Sequence, residues 1–181
     1  MVTEIHSLIR KQFGFEAADR FQVHATIKGF FKRDDGPLER LIEELDDAMN
    51  TQRPFPVHFN GYHIVEVGFG LDVSRRDSEP NPELLEMRER VVNAVMPFIA
   101  PDCEFLESEL SENFKAHITL AFRDIPVSMH RDVLRFLDDA PTPIEPFTAD
   151  TLHLLKFFSD DWTGPWWQSL SWRLIKTWHM D

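Results

Sequence analysis

The chain has 181 residues, 43% of them apolar and 28% charged, enough for one domain over residues 1–181 with a proper core and too apolar for a disordered tail. Its 31 acidic and 19 basic side chains give a formal charge of −12, whose field repels a polyanion and excludes a protein that grips long duplex nucleic acid through many phosphates. The single cysteine, Cys103, rules out an internal disulfide framework, and with no basic-then-apolar leader and no apolar run near the roughly 18 residues of a membrane span, a soluble cytoplasmic monomer with no membrane partner is expected.

Residues 3–13 place Ile5, Leu8, Ile9 and Phe13 at helical spacing, which predicts a short amphipathic helix ending at Gly14. Residues 21–31 alternate: Val23, Ala25 and Ile27 point one way and His24, Thr26 and Lys28 the other, as in a half-buried strand. After the turn Asp34-Asp35-Gly36-Pro37, Leu38, Leu41, Ile42 and Leu45 form the stripe of a helix. Residues 55–73 hold two apolar runs around Asn60-Gly61, the chemistry of a hairpin turn. Residues 74–82, charged and with two prolines, predict an exposed loop, the best place for a joint between two lobes. A helix is expected over 83–99, then a loop over 100–112 and a second alternating strand over 114–123. In that strand Lys115, His117, Thr119 and Arg123 share one face, and Ala116, Ile118, Leu120 and Phe122 the other. A helix over 128–139, a proline-rich turn over 141–146 and strands over 151–158 and 170–178 complete the chain.

The two halves repeat one order of landmarks. His24 and His117 are 93 residues apart, and Leu45-Asp46-Asp47-Ala48 and Leu137-Asp138-Asp139-Ala140 are 92 apart, as are Pro54-Phe55 and Pro146-Phe147. Three landmarks in register predict two similar lobes about an approximate twofold axis, which would bring two distant histidines to one cleft.

Each histidine carries a threonine two residues on, in His24-Ala25-Thr26 and His117-Ile118-Thr119, with a cation further along the same face (Lys28, Arg123). Two ordinary strand histidines bonded to their neighbours would not explain that repetition. Cleaving a phosphodiester needs a base for the attacking oxygen and an acid for the leaving one, and two imidazoles titrating near neutrality supply both. Threonine hydroxyls and a nearby cation would stabilise the charge that grows on the non-bridging oxygens.

Val23-His24-Ala25-Thr26-Ile27 and Ala116-His117-Ile118-Thr119-Leu120 resemble the paired signature of the 2H phosphoesterase superfamily, which includes the bacterial 2′-5′ RNA ligase-like proteins and the eukaryotic cyclic phosphodiesterases. The resemblance extends from about Phe21 to Trp178. It implies an α+β, bilobal fold: two antiparallel sheets related by pseudo-twofold symmetry, with outer helices and a central cleft. It implies action on 2′,3′-cyclic or 2′-5′ phosphodiesters of nucleotides or RNA ends with neither metal nor other cofactor. His24 and His117 would be the acid/base pair, with Thr26 and Thr119 as phosphate ligands. Lys28, Lys115 and Arg123 are candidate phosphate-side cations, and Phe30 and Tyr62 candidate base contacts.

Three rivals stand beside that expectation: a 2′-5′ ligase or transferase, a non-catalytic nucleotide or RNA-end binding module, and a metal-dependent hydrolase using His58 or His63. The His58 and His63 spacing fits no strong metal pattern. All five tryptophans fall within residues 162–178; Trp172, Leu174 and Trp178 share strand parity and are expected to seal a lobe, while Trp162, Trp166 and Trp167 are expected to be exposed. Gly68-Phe69-Gly70 lacks the third glycine of a dinucleotide loop.

Overall fold

The computed structural model describes residues 2–103, 114–140 and 145–181, so most of the expected 100–112 loop and 141–146 turn lies outside the described residues. Helix α1 (Val2–Phe13) buries Val2, Ile5 and Ile9. It ends at Gly14, as expected: φ is +81° there, which favours glycine, and the Gly14 amide donates to the Arg10 carbonyl. Helix α2 (Leu38–Met49) buries Leu41, Leu45 and Met49 at four-residue steps. Helix α3 (Pro82–Val95) starts from Asn81, whose fully buried side chain accepts from the Leu84 amide and donates to the Pro56 carbonyl at 2.9 Å. The apolar pattern predicts helix through Ile99, yet Pro97 has no N–H to offer the preceding turn, and the chain tightens into a 3₁₀ turn at Met96–Phe98. Helix α4 (His130–Asp139) buries Val133 and Leu137.

The described strands are β1 (Phe55–Val57), β2 (Tyr62–Val65), β3 (Gly68–Asp72), β4 (Arg75–Arg76), β5 (Glu79–Pro80), β6 (His117–Phe122), β7 (Phe147–Ala149), β8 (Thr151–Phe158) and β9 (Ser171–His179). All pair antiparallel: β2-β3-β6 form a three-stranded sheet, and β1 pairs with β7, β4 with β5 and β8 with β9. Among the described residues this is not the expected pair of matching sheets. Two pairings still join matching landmarks, since Pro56 sits opposite Thr148 and Ala25 bridges Ile118.

Four local expectations change. The hairpin turn is at Glu66-Val67, between β2 and β3, because β1 leaves for β7 and Asn60 and Gly61 instead bond to both backbone groups of Asp72. The 74–82 loop folds as the short β4-β5 hairpin, turning through Asp77 and Ser78 at φ +52° and +70°. The alternating segment 21–31 forms no strand beyond its bridge at Ala25; around that bridge the His24 ring bonds to the Gln22 carbonyl and the Thr26 hydroxyl. Finally, bulges reverse two faces. Thr119 pairs with Gly70 and Ala121 with Phe69, which leaves Leu120 unpaired; Leu120 and Ala121 are both buried, and Phe122 turns away from the core. In β9, Leu174 and Lys176 pair with Leu155 and Leu154, so Ile175 is the extra residue. Trp178 is buried, whereas Trp172 and Leu174, 38% and 46% exposed, seal nothing.

One apolar cluster joins Ile5 and Ile9 of α1, Leu41 and Leu45 of α2, Met87 and Val91 of α3 and Val133 of α4 to Phe69, Leu71, Ile118 and Leu120 of the sheet. Each such side chain contributes about 1.5–3 kcal/mol by leaving water. Among the described residues no helix is long and apolar enough to cross a membrane.

Candidate active site

The bridge between Ala25 and Ile118 joins the central residues of the two His-x-Thr segments. Because the pairing is antiparallel, it sets His24 level with Thr119 and Thr26 level with His117. Ile118 is buried and Ala25 packs on the core, so the histidines and threonines emerge on the opposite face.

Both rings are anchored alike. His24 Nδ1 donates to the Gln22 carbonyl, and His117 Nδ1 donates to the Lys115 carbonyl at 3.0 Å, each two residues upstream. A carbonyl can only accept, so Nδ1 carries the hydrogen in each ring and Nε2 is left to exchange a proton. At His24 that exchange is already sketched: Nε2 lies 3.1 Å from the Thr26 hydroxyl, which donates to it when the ring is neutral. Burial holds the His24 pKa below its ordinary value against the opposing Gln22 carbonyl, and repulsion from His117 and His153 adds to the shift.

The structure gathers more imidazoles than the sequence pattern suggested. The His63 ring on β2 lies 5.0 Å from that of His117, and burial, then His117 and Lys115, lower its pKa against the pull of Asp72. His153 on β8 lies within electrostatic reach of His24, its Nδ1 2.9 Å from the Thr177 hydroxyl. Gly70 makes room for the first pair: a Cβ there would come within 2.5 Å of the Ile118 carbonyl oxygen and 3.1 Å of the His117 ring. Beneath the site, buried His6 on α1 donates from Nε2 to the Thr119 carbonyl at 2.8 Å, and its Nδ1 lies 3.2 Å from Asp19. None of these carries a local sequence signal; only the fold brings them in.

An aromatic wall adjoins His24. Phe21 lies 6.5 Å from the His24 ring, and Phe30 packs against Phe157 at 4.7 Å, Trp166 at 5.4 Å and Phe21 at 6.3 Å. Phe122 joins through Phe21 and Trp166, placed there by the bulge. The Arg123 guanidinium lies 5.2–5.4 Å from the Phe122, Trp166 and Trp167 ring centres. Trp162 is exposed, as expected, while Trp166 and Trp167 are half-buried in this wall. Lys28 has its ammonium 5.4 Å from the Phe31 ring centre. Tyr62 is not brought to the histidines: it lies on the face of β2 opposite His63, its phenol bonded to Asp138 of α4, and burial and that carboxylate raise its pKa. Among the described residues no cluster of three or more His, Cys, Asp or Glu is arranged to hold a metal, His58 and His63 included.

A sequence profile of the 2′-5′ RNA ligase superfamily matches residues 2–161, a span that contains both motifs and the central sheet. The chain belongs to that superfamily. The match supports the kinship with 2H phosphoesterases that the two motifs suggested, and it stops short of Trp166, Trp167 and β9, which the motif resemblance extended to include. No protein of curated function matches the chain.

Proposed function

We propose that this superfamily member is a phosphodiesterase that opens 2′,3′-cyclic phosphates of nucleotides or RNA ends to monoesters. The observation that carries the reading is the twin anchoring of His24 and His117 through Nδ1, which leaves Nε2 of each ring, with the Thr26 hydroxyl beside that of His24, as the proton-exchanging atom at one bridge. His24, whose burial favours the neutral ring, takes a proton from water as its oxygen attacks phosphorus. The His117 Nε2–H gives a proton to the ribose oxygen as its bond to phosphorus breaks, so that one water is consumed and the two rings exchange protonation states. Thr26 and Thr119 donate to the non-bridging oxygens, where charge accumulates. In this reading the aromatic wall around Phe30, with Arg123, which adjoins His24, would offer the base attached to that ribose a stacking surface.

The test is turnover of a 2′,3′-cyclic nucleotide in EDTA. Replacing either His24 or His117 by alanine is expected to cost about 10²–10⁴-fold in kcat, the usual share of one general acid or base. Full activity of either variant would overturn the mechanism. The superfamily's name gives ligation a specific claim as the second reading, since the same acid and base serve the reverse reaction; analysis of products from cleaved RNA ends separates the two.

A further inference from the structure

The mechanism above uses two of the four histidines at the site. We propose that His63, together with Lys115, forms a second phosphate subsite, so that the preferred substrate is an oligonucleotide end with an internucleotide phosphate beside the reacting one, rather than a cyclic mononucleotide. The inference rests on the hydrolase reading and extends it to substrate choice.

Register places the subsite. His63 is paired with Gly70, and Gly70 with Thr119, so His63 stands one sheet-width from the second motif on a row with no side chain between. The gap at Gly70 lets the His63 and His117 rings approach to 5.0 Å. Among the described residues the His63 ring nitrogens have no hydrogen-bonding partner, and Lys115, exposed, has no acidic partner in a chain of charge −12. The nearby carboxylate, Asp72, is turned to its own turn, where Oδ1 takes the Ser74 amide at 2.8 Å and hydroxyl at 2.6 Å. A half-buried imidazole and a cation, unclaimed among the described residues and adjoining His117, are what an anion needs. Consecutive phosphates of an RNA strand are separated by a single ribose, so rings in contact can serve neighbouring phosphates. An anion there would favour the protonated His63 ring, opposing the burial that otherwise keeps it neutral.

The experiment compares kcat/KM for a 2′,3′-cyclic mononucleotide with that for a dinucleotide ending in the same cyclic phosphate, and for that dinucleotide with an uncharged methylphosphonate linkage. The wild-type protein is expected to prefer the charged dinucleotide about tenfold, the worth of one charge-assisted hydrogen bond. Its preference should fall towards one with the methylphosphonate, and in His63→Leu and Lys115→Ala alike. A preference unchanged in both variants, or equal for charged and uncharged linkages, overturns the subsite. If the wild-type protein turns over neither cyclic substrate, the hydrolase reading fails. The subsite is then decided by equilibrium binding of a 3′-phosphorylated dinucleotide against its methylphosphonate analogue, where equal affinity overturns it.

Discussion

The two His-x-Thr segments present the same side chains on different scaffolds. His117 and Thr119 belong to β6, paired along its length with β3, whereas His24 and Thr26 lie on an irregular arm that meets the sheet at one bridge. Both histidines nonetheless bond to the carbonyl two residues upstream, so ring orientation is set locally and does not require a strand. The difference lies in what holds each segment down. β6 is fixed by its ladder and by His6 beneath Thr119; the arm depends on its bridge, its aromatic collar and a carboxylate at its entrance.

Perturbing β6 should have the largest effect. Gly70→Val forces a side chain against the Ile118 carbonyl and the His117 ring, and is expected to cost about 3 kcal/mol, or about 6–12 °C in Tm. Histidine NMR spectra of that variant should show the His117 and His63 signals moved further than that of His24; equal movement would mean that the two scaffolds are not independent. A middle effect is expected at Asp124, whose Oδ2 accepts the Glu16 and Ala17 amides at 2.6 and 2.8 Å and so ties the end of β6 to the turn before the arm. Asp124→Ala should cost about 1–2 kcal/mol and accelerate amide exchange over residues 21–28 more than in β6. The smallest effect is on pH. An unfolded histidine binds its proton near 6.5, while folded His24 and His63 resist it, so the unfolded state binds more protons just below that pH. Their contribution should therefore make the fold less stable on acidification through about pH 6.5, by at most about 1.4 kcal/mol per group per pH unit. Chemical denaturation should show a shallower slope for His24→Gln, with the His63 share remaining; an unaltered slope would count against a half-buried, neutral His24.

The helices and both motifs were legible because their signals are local: a stripe at Leu41 and Leu45, another at Ile5 and Ile9, a histidine with its threonine. The bulges were not. Alternation alone assigns Phe122 to the core and Trp172 to the face of Trp178, and one unpaired residue, Leu120 or Ile175, reverses each assignment. Good turn chemistry at Asn60-Gly61 was overridden by pairing between β1 and β7, which no local pattern announces. For the same reason His63, weighed only with His58 as a metal ligand, joins the site through the register of β2 on β3, and His153 through the placement of β8.

The bridge from Ala25 to Ile118 also bears on how the molecule is made. It closes a loop of more than ninety residues, and the pairing of β1 with β7 closes another of similar length. Closing such loops costs entropy before any contact repays it, and a topology rich in distant pairings folds slowly. On the ribosome His24 emerges long before its partner strand exists. The candidate site is thus a late product of folding, absent from any amino-terminal fragment that ends before β6.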